Sequence, residues 1–308
     1  MRRNAAASAL PAIKSMSSSK PHGSDPLAPH RGRLVGLAYR MLGSRSDAED
    51  VVQDAYLRFA GAKNVRNPEA LLVTIVTRLC LDRLKSAKAR REVYVGPWLP
   101  EPVFDADGLS ADAATELADD LSFALMLALD RLSPLERAAF LLHDVFDRPF
   151  SEVALTLDRS EEACRQLATR ARRAVRDERP PPARAPDSHA RLLNAFCEAA
   201  ASGDVTALAS LLRQDAIAIS DGGGRKSAAL NPIRGAQRII RFLIGIARKN
   251  AARDIRVEPM MINGSAGALL YMDGEIDHTL SMAIDGDKIA AIYIVRNPDK
   301  LRHAPHAS

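Results

Sequence analysis

Apolar residues recur at helical spacing over roughly the first two thirds of the chain and alternate at strand spacing only towards its end. Leu34, Leu37, Ala38, Met41 and Leu42 fall at i, i+3, i+4, i+7 and i+8, which predicts a helix with one apolar face. Gly43 ends it, and Ser46 with Glu49 predicts a capping box for the next helix, whose apolar face is Val52, Ala55, Tyr56 and Phe59. Asp47, Asp50 and Asp54 share another face of that helix, with Glu49 and Gln53 beside them. A loop over 61–66, carrying Asn64 and Arg66, leads to Asn67, which caps a long helix with Pro68 at its first position. Leu72, Ile75, Val76 and Leu79 make its apolar stripe, and its far end is basic: Arg78, Arg83, Lys85, Lys88, Arg90 and Arg91.

The periodicity then stops. Residues 93–114 hold Gly96, Trp98, Pro100, Pro102 and Gly108 with several acids and predict an extended linker. Leu121, Leu125, Leu129 and Leu132 resume the helical spacing. Ser133-Pro134-Leu135-Glu136 predicts a capping box opening a helix to about Val145. A short helix over Ser151 to Leu157, a turn at Asp158-Arg159 and a cap at Ser160 opening another helix make a helix-turn-helix pattern. On that last helix Ala163, Leu167, Ala171 and Ala174 are predicted inward, and Arg165, Gln166, Thr169, Arg170, Arg172 and Arg173 outward.

A Pro- and Arg-rich stretch from Pro180 to Pro186 reads as a second spacer. Beyond it two helices are predicted: Leu192, Leu193, Phe196 and Ala200, then Leu208, Leu211 and Leu212 after a cap at Asp204. A third spans about Gly235 to Lys249. From Ile255 to Val295 alternation replaces helical spacing, broken at Asn263-Gly264, Asp273-Gly274 and Asp285-Gly286, strong hairpin signals. The expected architecture is multidomain: two all-α units, then an α+β unit with helices on an antiparallel meander. The segments are a flexible tail over 1–28, a helical unit over 29–92, a linker over 93–114, a helix-turn-helix unit over 115–178, a linker over 179–187 and the α+β unit over 188–308.

Composition narrows the function classes. With 47% hydrophobic and 26% charged residues the 308-residue chain can fold along most of its length. No apolar run approaches the roughly 20 residues of a membrane-spanning helix. The net charge of +5 becomes informative only through its distribution. Cys80, Cys164 and Cys197 are odd in number and scattered, which argues for buried thiols in a reducing cytoplasm and against a disulfide scaffold or metal site. The stretch before Ser24 is acid-free, has no signal-like apolar core and shares its composition with transit peptides.

Arg165 and Gln166 near the start of the second helix of the pair suit base edges in the major groove, and the later arginines suit phosphates. A carboxylate-rich helix face repels DNA; it is either a solvated face or a docking surface for a basic partner. Asp221, Asp277 and His278 are the acid/base candidates of the α+β unit. Asp277 and His278 are adjacent and point to opposite faces of a strand, so at most one of them faces a pocket inside the curved sheet.

Several segments do more than fit a pattern. Tyr39-Arg40-Met41-Leu42-Gly43, Asp47-Ala48-Glu49-Asp50-Val51-Val52-Gln53-Asp54 and Thr77-Arg78-Leu79-Cys80-Leu81-Asp82 closely resemble region 2 of bacterial sigma factors of the extracytoplasmic-function (ECF) class. Ser133-Pro134-Leu135-Glu136-Arg137 and the stretch from Phe150 to Arg173 resemble region 4 of that class. The α+β unit resembles the SnoaL-like domain, of the nuclear-transport-factor-2 fold, fused to one group of these factors. Three segments carry that likeness: Trp98-Leu99-Pro100-Glu101-Pro102, Asp221-Gly222-Gly223-Gly224 and Asn297-Pro298-Asp299-Lys300-Leu301. Arg225-Lys226 departs from it, since Lys is expected directly after the glycines.

The resemblance implies a protein that binds core RNA polymerase and promoter DNA, without cofactor, metal, membrane or catalytic residues. Asp47, Glu49, Asp50, Gln53 and Asp54 would dock on the β′ clamp helices, and region 4 on the β flap. Asn64, Arg66, Asn67, Arg78, Arg83, Lys85 and Lys88 would handle the −10 element. Ser160, Arg165, Gln166, Thr169, Arg170 and Arg173 would read the −35 element. Trp98, Pro100, Asp221 to Gly224 and Asn297 to Leu301 would carry regulation in cis. A small molecule in the SnoaL-like pocket is compatible with this, although no residue identifies it. On the residues alone a stand-alone helix-turn-helix regulator, or a SnoaL-like enzyme with a DNA-binding addition, stays open.

Overall fold

Local signals set most of the helix ends. The computed structural model describes residues 28–63, 65–104, 109, 120–178 and 186–305, with 28, 86–92, 178, 186 and 187 as backbone alone. Helix α1 (Arg31–Leu42) stops at Gly43, whose φ of 72° is open to a residue without Cβ. Helix α2 (Arg45–Ala60) is capped by Ser44, whose Oγ accepts from the Asp47 N–H at 3.2 Å. The predicted box at Ser46 is therefore not the cap: Ser46 lies inside the first turn, and Glu49 pairs with Arg45 at 3.1 Å. Helix α3 (Pro68–Glu92) starts where expected, with Asn67 Oδ1 accepting from the Ala70 N–H at 3.1 Å.

Next come α4 (Phe123–Asp130) and α5 (Pro134–Phe140), the latter opened by the predicted Ser133/Glu136 capping box and continued as a π turn to Val145. Helices α6 (Phe150–Leu157) and α7 (Glu161–Glu178) flank a tight turn with Asp158 at φ 53°. Ser160 Oγ accepts from the Ala163 N–H at 3.2 Å at the start of α7. The buried side of α7 is Cys164, Leu167, Ala168, Ala171 and Val175; Ala163 and Ala174, predicted inward, are only half-buried.

The two helical units share one core, which linear reading of the chain cannot reveal. Met41, Val52, Leu72 and Val76 belong to the same buried cluster as Phe140, Val153 and Leu167. Polar contacts stitch the seam: Arg33 pairs with Glu69 at 2.7 Å and donates to the Phe146 carbonyl at 3.1 Å. Arg148 also grips Glu69, and the buried Arg137 donates to the Met41 carbonyl.

The C-terminal unit comprises α8 (Pro186–Ser202), α9 (Val205–Leu211), β1 (Leu212–Asp221), β2 (Ile233–Arg234), α10 (Ala236–Lys249), β3 (Ile255–Ile262), β4 (Ser265–Met272), β5 (Glu275–Asp285) and β6 (Lys288–Val295). β3 to β6 form the predicted antiparallel meander, and the Asn-Gly and Asp-Gly pairs at 263–264 and 273–274 all take positive φ, as tight hairpin turns require. The sheet as a whole is mixed, in the order β2-β1-β6-β5-β4-β3, because β1 pairs parallel with β6. Leu212, expected at a helix end, begins β1.

The sheet separates two layers. On one face Ala218, Ala268, Leu280, Met282 and Ile292 pack against Leu193 and Phe196 of α8 and Ile239 and Ile240 of α10. On the other, Ala283, Ala291, Tyr293 and Val295 cover Leu99 and Phe123. Burying a side chain of the size of Leu99 contributes about 1.5–3 kcal/mol, so the linker is a built part of the fold.

Candidate functional site

Residues 94–104 run between the helical body and the sheet, held on both sides. Towards the body, the Glu101 N–H donates to the Gly43 carbonyl at 2.9 Å, and its carboxylate accepts from Ser44 Oγ at 3.0 Å and the Arg45 N–H at 2.9 Å. Glu101 thus places negative charge at the N-terminus of α2, where the helix dipole favours it. The Trp98 ring lies against Gly43; a Cβ there would sit 2.4 Å from it. The fully buried Tyr39 donates its hydroxyl to the Glu101 carbonyl at 2.8 Å, and burial pushes that phenol well above the usual tyrosine range.

Towards the sheet, the linker meets Asp221, Asn263 and Lys300. Asp221 has no exposed surface. Its carboxylate accepts from the Tyr94 hydroxyl at 2.7 Å, the Leu99 N–H at 2.9 Å, the Gly223 N–H at 3.0 Å and Lys300 Nζ at 2.7 Å. Lys300 also donates to the Leu99 carbonyl and stands over the Trp98 and Tyr94 rings at 4.5 and 5.1 Å. Burial first, and then the Asp221 carboxylate, push the Tyr94 hydroxyl well above the usual tyrosine range. Asn297 donates to the Tyr94 oxygen at 2.9 Å and accepts from the Asp299 N–H.

Gly222 to Gly224 form the turn that admits this approach. Gly223 has φ +59°, and a Cβ on it would come within 2.2 Å of the Asn297 side chain. Arg225, the residue that departs from the family pattern, pairs with Asp299 at 3.1 Å. Pro100 and Leu301 are buried, Trp98 and Asp299 half-buried, and Pro298 exposed. The three segments singled out in sequence therefore converge on one latch.

Four latch residues lay outside the predicted site set: Tyr39, Tyr94, Glu101 and Asn263. Asn263 accepts from the Val103 N–H at 3.0 Å and donates to the Tyr39 hydroxyl at 2.7 Å and the Leu121 carbonyl at 2.8 Å. In sequence it reads only as half of a hairpin turn.

The acidic face of α2 is present, with Asp50, Gln53 and Asp54 exposed and Asp47 and Glu49 half-buried. Arg83 lies among these acids, 3.3 Å from Asp47, 3.8 Å from Asp50 and 3.5 Å from Asp54. It is bound to the acidic face rather than to an open basic track. Arg78 is likewise engaged, donating to the Thr156 and Leu155 carbonyls of α6 at 3.1 Å each. Lys85 pairs with Asp82 at 2.9 Å on the surface, Arg66 is exposed, and Asn67 holds the α3 cap. Asn64 and the Lys88 side chain fall outside the described residues.

On α7 the predicted readers line the exposed side: Arg165, Gln166, Thr169, Arg170 and Arg173, after Ser160 at the cap. Arg165 pairs with Glu161 at 2.6 Å, Gln166 with Glu162 at 3.3 Å and Arg170 with Glu136 at 3.3 Å. The Arg165–Glu161 ion pair is exposed and worth about 0.2–1 kcal/mol, and Arg170 reaches a half-buried Glu136.

Of the three acid/base candidates, Asp277 and His278 meet and Asp221 stands apart from them. Asp221 is engaged in the latch. Asp277 occupies a bulge in β5, where Leu270 faces His278 and Tyr271 faces Ile276. His278 Nδ1 lies 2.7 Å from the Asp277 carboxylate beside this bulge. Arg296 donates to both oxygens of that carboxylate at 2.9 Å, and Lys226 to one at 3.2 Å. Burial alone would raise its pKa, but the contacts from His278 and Arg296 outweigh it and hold the carboxyl well below the usual range. A carboxylate pinned as an anion holds sheet and loop together and is a poor proton shuttle.

Comparison with known proteins places this arrangement in a class. Residues 27–90 match the family model of Sigma-70 region 2, and residues 122–175 that of Sigma-70 region 4. The chain belongs to the ECF RNA polymerase sigma factors. It is 38% identical over 286 residues to the ECF RNA polymerase sigma factor SigJ of Mycobacterium tuberculosis, covering 89% of this chain and 92% of that one. It is 32% identical over 278 residues to the probable ECF sigma factor SigI of the same species, covering 88% and 92%. The crystal structure of M. tuberculosis SigJ superposes with a TM-score of 0.71 at 35% identity, covering 91% of this chain and 98% of that one.

Proposed function

We propose that this sigma factor directs core RNA polymerase to specific promoters from the cytoplasm, and that its C-terminal domain modulates it in cis by gripping the linker. The acidic face of α2 docks on the β′ clamp helices and region 4 on the β flap. Helix α7 reads the −35 duplex through Arg165, Gln166, Thr169, Arg170 and Arg173, with Ser160 at the entry. Asn64, Arg66 and Asn67 meet the −10 element, and Arg78, Arg83, Lys85 and Lys88 follow its strand once α6 and the acidic face release the first two. The protein catalyses no reaction of its own.

The observation that carries the regulatory reading is the two-sided hold on residues 94–104, from Glu101 and Tyr39 to Asp221, Asn263 and Lys300. The −10 and −35 elements lie on separate stretches of DNA, so the helical units must part to meet both. The linker between them is the segment the C-terminal domain holds. Core-polymerase binding tests the docking face. Asp50→Ala, an exposed change, is expected to lower affinity without altering the unfolding transition; unchanged affinity would refute the assignment of α2.

A further inference from the structure

Between Gly222 and Arg253 the chain contains no Asp or Glu and eight Arg or Lys. Three of the eight have carboxylate partners: Arg225 with Asp299, Lys226 with Asp277 and Arg253 with Asp273. Arg234, Arg238, Arg241, Arg248 and Lys249 are exposed and have no ion-pair partner among the described residues. Their spacing is helical. Arg238, Arg241, Gly245 and Arg248 follow one another along a single face of α10 over about 15 Å, at 1.5 Å per residue. A Cβ on Gly245 would meet nothing within 4 Å, so the middle of the row is open. The opposite face of α10 is already packed on the sheet through Ile239 and Ile240. Because the linker and α4 cover the other side of the sheet, this row points away from the helical body.

Such a row calls for a polyanion. A lipid surface is disfavoured, because a helix lying in a membrane needs its apolar face free, and here that face is buried. Duplex DNA fits. It offers one charge per about 1.7 Å of axis, and a 15 Å row spans several phosphates of a strand. It is also at hand. Pro186 follows Glu178 by eight residues, so α8 starts within about 30 Å of the end of α7, less than one turn of duplex. We propose that the outer face of α10 is a second, sequence-independent DNA contact, in which Arg238, Arg241 and Arg248, flanked by Arg234 and Lys249, hold the backbone of promoter DNA upstream of the stretch read by α7. This rests on the sigma-factor reading of α7.

The test uses holoenzyme carrying the full chain and a promoter fragment selected from genomic DNA with that holoenzyme. Binding is measured against salt concentration for the natural chain, the triple variant Arg238→Gln/Arg241→Gln/Arg248→Gln, and the same three positions changed to Lys. Each lost phosphate contact removes about 0.9 from the slope of log K against log salt, so the Gln variant should lose about 2.7 and the Lys variant almost nothing. On a fragment cut at the upstream edge of the −35 element, all three chains should bind alike. Equal slopes for the natural and Gln chains on the long fragment would overturn the proposal, as would an equal loss in the Lys variant, which would indicate damage to the fold. A natural holoenzyme that selects no promoter would remove the sigma-factor reading and this contact with it.

Discussion

Asp221→Ala removes the acceptor at the centre of the latch and leaves the Lys300 ammonium, the Leu99 N–H and the Tyr94 hydroxyl without it. Removing one partner of a buried ion pair costs about 3–5 kcal/mol. The lower end applies, because Lys300 keeps the Leu99 carbonyl and the rings of Trp98 and Tyr94. A loss of about 3 kcal/mol opens the linker roughly a hundredfold more often. Trp98, the only tryptophan, sits in the linker, so its fluorescence reports the latch directly during urea unfolding of the full chain. Amide exchange at Leu99 and Val103 should quicken in step. Asp221→Ala combined with Lys300→Met should cost less than the sum of the two single changes, by about 2 kcal/mol, since the two groups act as one unit. Single losses that add to within about 0.5 kcal/mol, with linker exchange unchanged, would refute the reasoning.

Other outcomes follow from the same contacts. Arg165→Ala should weaken specific promoter binding by about 1–3 kcal/mol if the side chain leaves Glu161 for a base edge, and an unchanged footprint would sink that assignment. Gly223→Ala should destabilise the latch, because the added carbon needs the space of the Asn297 side chain at a φ of +59°; a melting temperature equal to that of the natural chain would contradict this. The Asp277 carboxyl has its pKa lowered on folding from the ordinary value of 3.8, so its contribution is complete above that value and fades as pH falls below it. Acid unfolding of the C-terminal domain should therefore be less pH-dependent below about pH 4 in Asp277→Asn, which calorimetry across that range would check.

Much of this was legible along the chain, and the misses have physical causes. The caps at Asn67, Ser133, Ser160 and Asp204 are local, so residues three positions apart disclosed them. The cap of α2 was misplaced by two residues, at Ser46 instead of Ser44. Ser46 does carry a hydrogen bond, but to Glu101, 55 residues away in sequence. β1 escaped notice because Arg213, Gln214 and Asp215 interrupt its apolar alternation, and Leu208, Leu211 and Leu212 extend helical spacing into it. The Asp277 bulge is invisible to an alternation rule that assumes regular strands. The acidic and basic faces of α2 and α7 were readable from spacing, yet the capture of Arg83 and Arg78 was not, since both contacts cross between elements. The latch segments entered through family likeness; Tyr94 and Asn263 carry no local mark of their role.

Run-off transcription with purified core RNA polymerase and the full chain, on the promoter fragment that the holoenzyme selects, tests initiation and the latch together. A transcript from one defined start site, dependent on the chain and changed in yield by Asp221→Ala, is the predicted result. A chain that neither binds core polymerase nor initiates at any site would contradict it, and a transcript that Asp221→Ala leaves unaltered would contradict the latch as its regulator.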